Sequence, residues 1–354
     1  MPGARILAAL ILAAALIPSC PALSGAGNDT KKTAGQLRTF SFYVENDMMG
    51  GTDEHYTNAV KLTYLSKNLA DYSESDLVAQ YFPRLIPLIK KAPFVNDPGR
   101  LHNVGLSLGQ DIYTPRNTRA EEMQEDDRPY AGWTYASLAL HAKNATVLNT
   151  FETSLGVVGP AAGGEFVQNN WHDLIGKFRS KGWKHQLGNE PGLLFTWQRS
   201  TRAWVKELEN NMGLDFIPHV GACLGNVHTY ANMGGEVHFG YRLPSNFGSP
   251  LIRPGGVVGA PSDKTDTRVS GGFGWRVFAG VDGRAVGRNI FLDGNSWEDK
   301  HRVTKKHFVA DVYGGLSVQG GSWSATYTHV FRTEEFDGQK AGQIFGSLNL
   351  AYSF

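Results

Sequence analysis

One histidine among the 11 of this chain, His172, lies in a long, irregular string: Gly159-Pro160-x-x-Gly163-Gly164-x-x-Val167-Gln168-Asn169-x-x-His172-x-x-Ile175-Gly176. An unperturbed imidazole, with a pKa of about 6.5, is partly neutral at working pH and can take a proton from water. General-base help of that kind is worth roughly 10²–10⁴-fold in rate. Taken alone, a single histidine reads first as a solvent-exposed or structurally bonded side chain. Asp47 and Thr57 offer hard oxygen donors that flank one hairpin, a set that suits calcium or magnesium rather than zinc. Asn46, beside them, could orient a water, a substrate or a ligand. Without other evidence, Asn-Asp at a strand end is ordinary turn chemistry, and Thr57 an ordinary strand residue.

Three cations, Arg116, Arg119 and Arg128, follow the block Gln110-Asp111-Ile112-Tyr113. Guanidinium forks suit bidentate pairing with phosphates, although scattered surface charge would look the same. Gly105-Leu106-Ser107-Leu108-Gly109 formally matches G-x-S-x-G. That motif works as a sharp turn between strand and helix, whereas here it lies inside an alternating segment with no helix following. Gly-rich phosphate loops and cysteine-based metal spacings are absent. A formal charge of +1 is too small to argue for nucleic acid.

These residues need elements to position them. Arg5 followed by the apolar run Ile6 to Ile17 is too short for a membrane-spanning helix, which needs about 20 residues. It reads as a signal peptide ending near Ser24-Gly25-Ala26, so residues 1–26 are an address and 27–354 one domain. A lipoprotein signal ending at Cys20 is the competing reading. If Cys20 leaves with the signal, Cys223 is the only thiol, and no internal disulfide can form. Beyond the signal there is no run of 18 or more apolar residues, which excludes a helical membrane protein. In Ser347 to Phe354 the large apolar residues Leu348, Leu350, Tyr352 and Phe354 fall on every second position. That places apolar groups toward lipid and polar ones toward a lumen. The terminal aromatic also resembles the assembly signal of bacterial outer-membrane proteins, implying their assembly machinery as a partner.

Similar segments recur at Thr39 to Asn46, Thr57 to Leu65, Val104 to Ile112, Thr134 to Ala142, Val147 to Val157 and Leu193 to Thr201. The remainder are Gly213 to Leu224, His228 to Leu243, Ser270 to Val281, Phe308 to Val318, Trp323 to Phe331 and Phe345 to Phe354. The expected fold is therefore an all-β, transmembrane, antiparallel up-and-down β-barrel of about 12 strands. A soluble β-sandwich is the alternative, and it requires the large residues to be buried. Lys67 to Asn103 and Pro244 to Thr267 interrupt the strands. The first could hold a short amphipathic helix on the barrel rim, with its prolines preventing one long helix. With the N-terminus in the periplasm, connections after odd-numbered strands face outward. Parity then gathers Glu45-Asn46-Asp47 with Tyr56-Thr57-Asn58, Gln110 to Tyr113 with Asp126 to Gly132, and Gly159 to Glu190 on one rim.

These blocks, with Asp127-Arg128-Pro129-Tyr130-Ala131-Gly132 and Gly182-Trp183-x-x-Gln186, resemble the outer-membrane lipid A 3′-O-deacylases (LpxR-like) over essentially the whole mature chain. The resemblance implies a 12-stranded barrel with its active site between the outer wall and an extracellular helical loop. The implied reaction is Ca²⁺-assisted removal of the 3′-linked acyloxyacyl group of lipid A. It makes His172 the base, and it assigns Asn46, Asp47 and Thr57 to the calcium-bearing site, with Asp47 and Thr57 as metal ligands. Gln110, Arg116, Arg119 and Arg128 fall to substrate binding. It also implies a monomer in the outer membrane with its site facing the outer leaflet and lipopolysaccharide as its partner. Members can carry an acidic residue six positions after the histidine, where this chain has Phe178. Asp173, Glu165 or Glu190 would then have to supply the missing oxygen. The competing functions are an esterase acting on glycerophospholipid or another envelope ester, and a non-catalytic barrel serving as channel, adhesin or structural element. Lumens of this size are usually filled by side chains, which disfavours a pore.

Overall fold

The computed structural model describes residues 36–50, 55–91, 95, 99–256 and 272–354. Residues 1–26, expected to be a signal segment, lie outside them, Cys20 included. The chain folds as a closed antiparallel barrel. Its strands are β1 (Thr39–Asn46), β2 (His55–Leu65), β3 (Leu101–Thr114), β4 (Ala131–Lys143), β5 (Val147–Val158) and β6 (Glu190–Thr201). They continue with β7 (Met212–Gly225), β8 (His228–Tyr241), β9 (Phe273–Asn289), β10 (Phe308–Gly320), β11 (Trp323–Arg332) and β12 (Gln343–Ser353). Trp204–Glu207 continues β6 past a break, since both pieces pair with β7, so the wall has 12 strands. Closure comes from β1 on β12, in register from Thr39 opposite Ser353 to Asn46 opposite Gly346.

Burial runs opposite to that of a soluble sandwich. Ser347, Asn349 and Ser353 of β12 are buried, whereas Leu108, Leu155, Leu224 and Met233 stand 63%, 64%, 66% and 70% exposed. That arrangement suits lipid as the solvent of the outer face, and the closed wall gives each strand a hydrogen-bonded neighbour on both sides. Serine and threonine hydroxyls pair across the lumen face, as Thr63 does with Ser107 at 2.9 Å and Ser317 with Thr326 at 2.9 Å.

The expected strands are all present, with shifted ends. β9 runs on to Asn289, well past Val281: Asp282 and Arg284 keep to the lumen face, but the outward positions between and after them, Gly283 and Ala285, are too small to show the apolar alternation that marks a strand. The predicted start at Ser270 lies outside the described residues. Residues 244–256, which leave β8 at the end of the barrel that holds both termini, turn into the lumen. Arg253 there bonds Asp282 at 3.2 Å and Asp311 at 2.9 Å. Arg284 and Arg332 also pair with Asp311, and the Ile252 amide donates to Glu45 at 2.7 Å. At the opposite mouth the short helix α4 (Ile290–Asp293) sinks Ile290 and Phe291 inward, and the Phe291 ring stacks 4.0 Å from Tyr113. Among the described residues a cavity of about 120 Å³ lies in the lumen, lined by Tyr113, Asp282, Arg284 and Arg332 among others.

Removing one member of a buried ion cluster leaves uncompensated charge and costs about 3–5 kcal/mol. Asp311 retains two other arginines, so Arg253→Ala should fall near the lower figure. Denaturant unfolding in detergent or vesicles measures it, and an unchanged midpoint would mean that the plug segment contributes nothing to the barrel.

Candidate active site on the outer wall

The β1–β2 hairpin at the end opposite the termini has a register shift between Tyr56 and Asn58. Such a bulge adds one residue and lets its neighbours face opposite sides of the wall. Tyr56 points into the lumen, its ring 5.4 Å from Tyr113 and 5.1 Å from Phe345. Asn58 is aligned with Asn46 and with Ile112 on the outer face. Thr57, the extra residue, places Oγ1 2.6 Å from Oγ1 of Thr114. Asn46 uses both ends of its amide within the hairpin. Nδ2 donates to the Thr57 carbonyl at 2.9 Å, and Oδ1 accepts from the Met48 amide at 2.8 Å. The turn chemistry expected of Asn46 is thus present, and it ties the Thr57 main chain to the start of the turn, where Asp47 is fully buried.

Helix α3 (Gly164–Ile175) lies against the outer face of β3 and β4. Gly163 before it and Gly176 after it are both left-handed, at φ 70° and 73°. The end is closed by the Lys177 amide on the His172 carbonyl at 2.7 Å, a glycine-terminated cap. Close approach depends on two further glycines. A Cβ on Gly164 would meet the Trp183 ring at 2.8 Å and Gly132 Cα at 3.2 Å. Gln110 Nε2 and Thr134 Oγ1 both donate to the Ala162 carbonyl, at 2.6 and 2.8 Å. Gln110 therefore fastens the helical connection to the wall. Gly164, Gln168 and His172, spaced by four, form the buried stripe, while Phe166, Leu174 and the following Phe178 are exposed.

His172 is buried, and its Nδ1 lies 2.6 Å from the Phe178 carbonyl. A carbonyl can only accept, so Nδ1 carries the proton and Nε2 the lone pair. The main chain at 178 thus orients the imidazole at the very position where the side chain departs from the expected acid. Gln168, which sequence reasoning left without a role, accepts from Trp183 Nε1 at 2.8 Å through Oε1. An indole N–H can only donate, which fixes the amide orientation and leaves Nε2 as a buried donor without a partner among the described residues.

Two of the three proposed replacement acids, Asp173 and Glu190, are engaged elsewhere. Asp173 is held in a two-pronged pair by Arg179, whose hydrogen bond and charge keep the Asp173 carboxyl below its usual range. Glu165 is exposed at the helix start. Glu190 is engaged by Ser296, Asn226 and Asn295. Another oxygen is unengaged. Asn58 Oδ1, on the hairpin itself, is buried and meets no hydrogen-bond donor among the described residues. No group of three or more His, Cys, Asp and Glu side chains that could hold a metal occurs among the described residues. A hard cation accepts amide, hydroxyl and carbonyl oxygens alongside a carboxylate, so Asp47, Thr57 and Asn58 fit calcium.

The arginines divide. Arg128 is fully buried, its guanidinium 2.6 Å from Glu335 and above the Tyr113 and Phe336 rings. Expected to meet phosphate, it is instead turned into the mouth of the barrel and held there by Glu335. The Glu335 carboxyl is in turn pushed down to about 2, the charges of Arg128 and Arg332 outweighing its burial. Arg116 and Arg119 are exposed, and Arg119 lies 4.1 Å over the Phe178 ring, joining the second outer connection to the third.

Comparison with known proteins bears on the fold and the family. No curated protein matches the chain in sequence. Among solved structures, LpxR from Salmonella typhimurium is similar with a TM-score of 0.70 at 20% identity, over 89% of this chain and 99% of that one. The β domain of the Bordetella autotransporter BrkA aligns at a TM-score of 0.43 and 8% identity, over 90% and 99%. The family model described as outer membrane protein LpxR matches residues 7–354, so the chain belongs to the LpxR family of outer-membrane β-barrel proteins.

Proposed function

We propose that the protein is a carboxylic ester hydrolase that removes the 3′-linked acyloxyacyl chain of lipid A. The observation that carries this reading is the pairing of a buried, oriented imidazole with a cluster of hard oxygens on the same outer face and rim. Chemistry outside the wall suits a substrate that never leaves the bilayer. A filled lumen weighs against a channel.

In the proposed reaction His172 Nε2 takes a proton from water as the water oxygen attacks the ester carbonyl carbon. The Phe178 carbonyl holds the resulting imidazolium in place. When the tetrahedral intermediate collapses, the carbon–oxygen bond to the sugar breaks, and the imidazolium returns its proton to the sugar oxygen. Gln168 Nε2, one turn before His172 on the buried stripe, is the protein's donor toward the oxygen that gains charge. Loss of one such donor costs about 10²–10³-fold. Bound calcium would supply positive charge at that same oxygen, and Asp47, Thr57 and Asn58 would hold it. Phe166, Leu174 and Phe178 form the surface that meets acyl chains, and Arg116 and Arg119 reach lipid A phosphates. This end of the barrel then faces the outer leaflet.

Lipid A from cells making the wild type should lack the 3′-linked chain in mass spectra. His172→Ala should restore it, with turnover by purified protein falling roughly 10²–10⁴-fold; equal deacylation by both would defeat the reading. Chelation of calcium should stop turnover. Asn58→Leu should raise the calcium needed for half-activity by at least the tenfold to hundredfold that losing a supporting group costs a metal site, and an unchanged requirement would remove Asn58 from the site. Gln110→Ala should lower turnover by about 10²-fold through misplacement of α3, with the thermal midpoint of the barrel unchanged. Wild-type turnover in that variant would show that the fastening is not needed for positioning.

A further inference from the structure

The connection between β2 and β3 lies at the termini end, away from the candidate site, yet it too sits on the outside of the wall. It holds two short helices, α1 (Asp76–Tyr81) and α2 (Ile86–Lys91). Leu69, Tyr72, Val78, Ile89 and Val95 pack with Val104 of β3, and Leu138, Leu140 and Phe151 of β4 and β5 close the cluster. The Tyr72 hydroxyl donates to the His141 carbonyl at 3.0 Å, and its ring lies 4.5 Å from His102. Val104, Leu140 and Phe151 share the outward face that carries exposed Leu108 and Leu155 farther along the same strands. The two helices therefore rest where the lipid-facing band ends.

Around the rest of this end the wall presents an aromatic girdle of exposed residues: Trp204, Phe273, Trp323, Tyr352 and Phe354. Strands β3, β4 and β5 have no exposed aromatic among the described residues. Over that gap the α1–α2 connection presents Tyr81, 68% exposed, and Phe82. Arg84 and Lys91, both exposed, follow in the same connection, Lys91 at the end of α2. Aromatic rings at headgroup depth with cations beside them are the composition of an element lying in a membrane interface.

We propose that this connection is a membrane foot. It completes the aromatic girdle across β3–β5 by seating Tyr81 and Phe82 among the lipids, and it binds anionic phospholipid headgroups through Arg84 and Lys91. The proposal goes beyond the hydrolase reading and uses none of its residues.

Spin labelling of the full chain tests it. Tyr81→Cys is labelled in a background with Cys20 and Cys223 changed to serine, and the protein is reconstituted in nanodiscs of phosphatidylcholine with or without phosphatidylglycerol. The label should collide more with dissolved oxygen than with a water-soluble nickel chelate, as at an interfacial site. Native mass spectrometry should show retained phosphatidylglycerol on the wild type and about tenfold less on Arg84→Glu/Lys91→Glu, a charge effect of the expected order for two surface cations. A label as open to nickel as one in bulk water, or equal retention by both proteins, would overturn the proposal. Lipid A deacylation is read separately, so failure of the foot leaves that reading standing, and the reverse.

Discussion

Helix α3 can lie on the barrel wall because Gly132 and Gly164 bring two backbones together with no side chain between them. Two donors on the wall, Gln110 and Thr134, then hold the Ala162 carbonyl at the helix entry. Everything proposed for the site follows from that contact. A four-residue stripe along the helix turns Gln168 and His172 inward. The glycine cap brings the chain back so that a carbonyl fixes the imidazole tautomer. The bulge in β2 sets Thr57 and Asn58 on the same outer face, one strand away from the helix.

A rigid support under this contact comes from the interior. A lumen lined with carboxylates and guanidiniums would be costly if it were only partly paired. Here Arg253 and Arg284 share Asp282 and Asp311, Arg332 pairs with Asp311, and Arg128 reaches Glu335. The plug segment and α4 fill the remaining space. The wall is thereby braced from inside, and the chemistry is left to its outer surface, where a lipid ester can arrive from the side.

Strand alternation was readable from residues such as Leu348, Leu350 and Tyr352, because side-chain direction in a strand is local. Parity then placed the three polar connections at one end, and the structure shows them there. What was not readable depends on distant contacts. Arg128 looked like a surface cation because Glu335, its partner, is 207 residues away. Asn58 was named only as part of the Tyr56-Thr57-Asn58 cluster and given no role, since only the bulge before it turns its amide to the outer face. Gln168 stood within the quoted motif with nothing to show that Trp183 would orient it. The prolines correctly ruled out one long helix between β2 and β3. They said nothing of its packing on the outer wall, which rests on Val104, Leu140 and Phe151 from three strands.

The central claim is that hairpin and helix form one site on the outside of the barrel, with a cation and an imidazole facing the same ester. A crystal of the protein soaked in calcium, with anomalous differences recorded, tests it most directly. The account predicts a single strong peak ligated by Asp47, Thr57 and Asn58, on the outer face, with His172 Nε2 opening toward the same space. A peak elsewhere, or an ordered hairpin that stays empty at millimolar calcium, would contradict it.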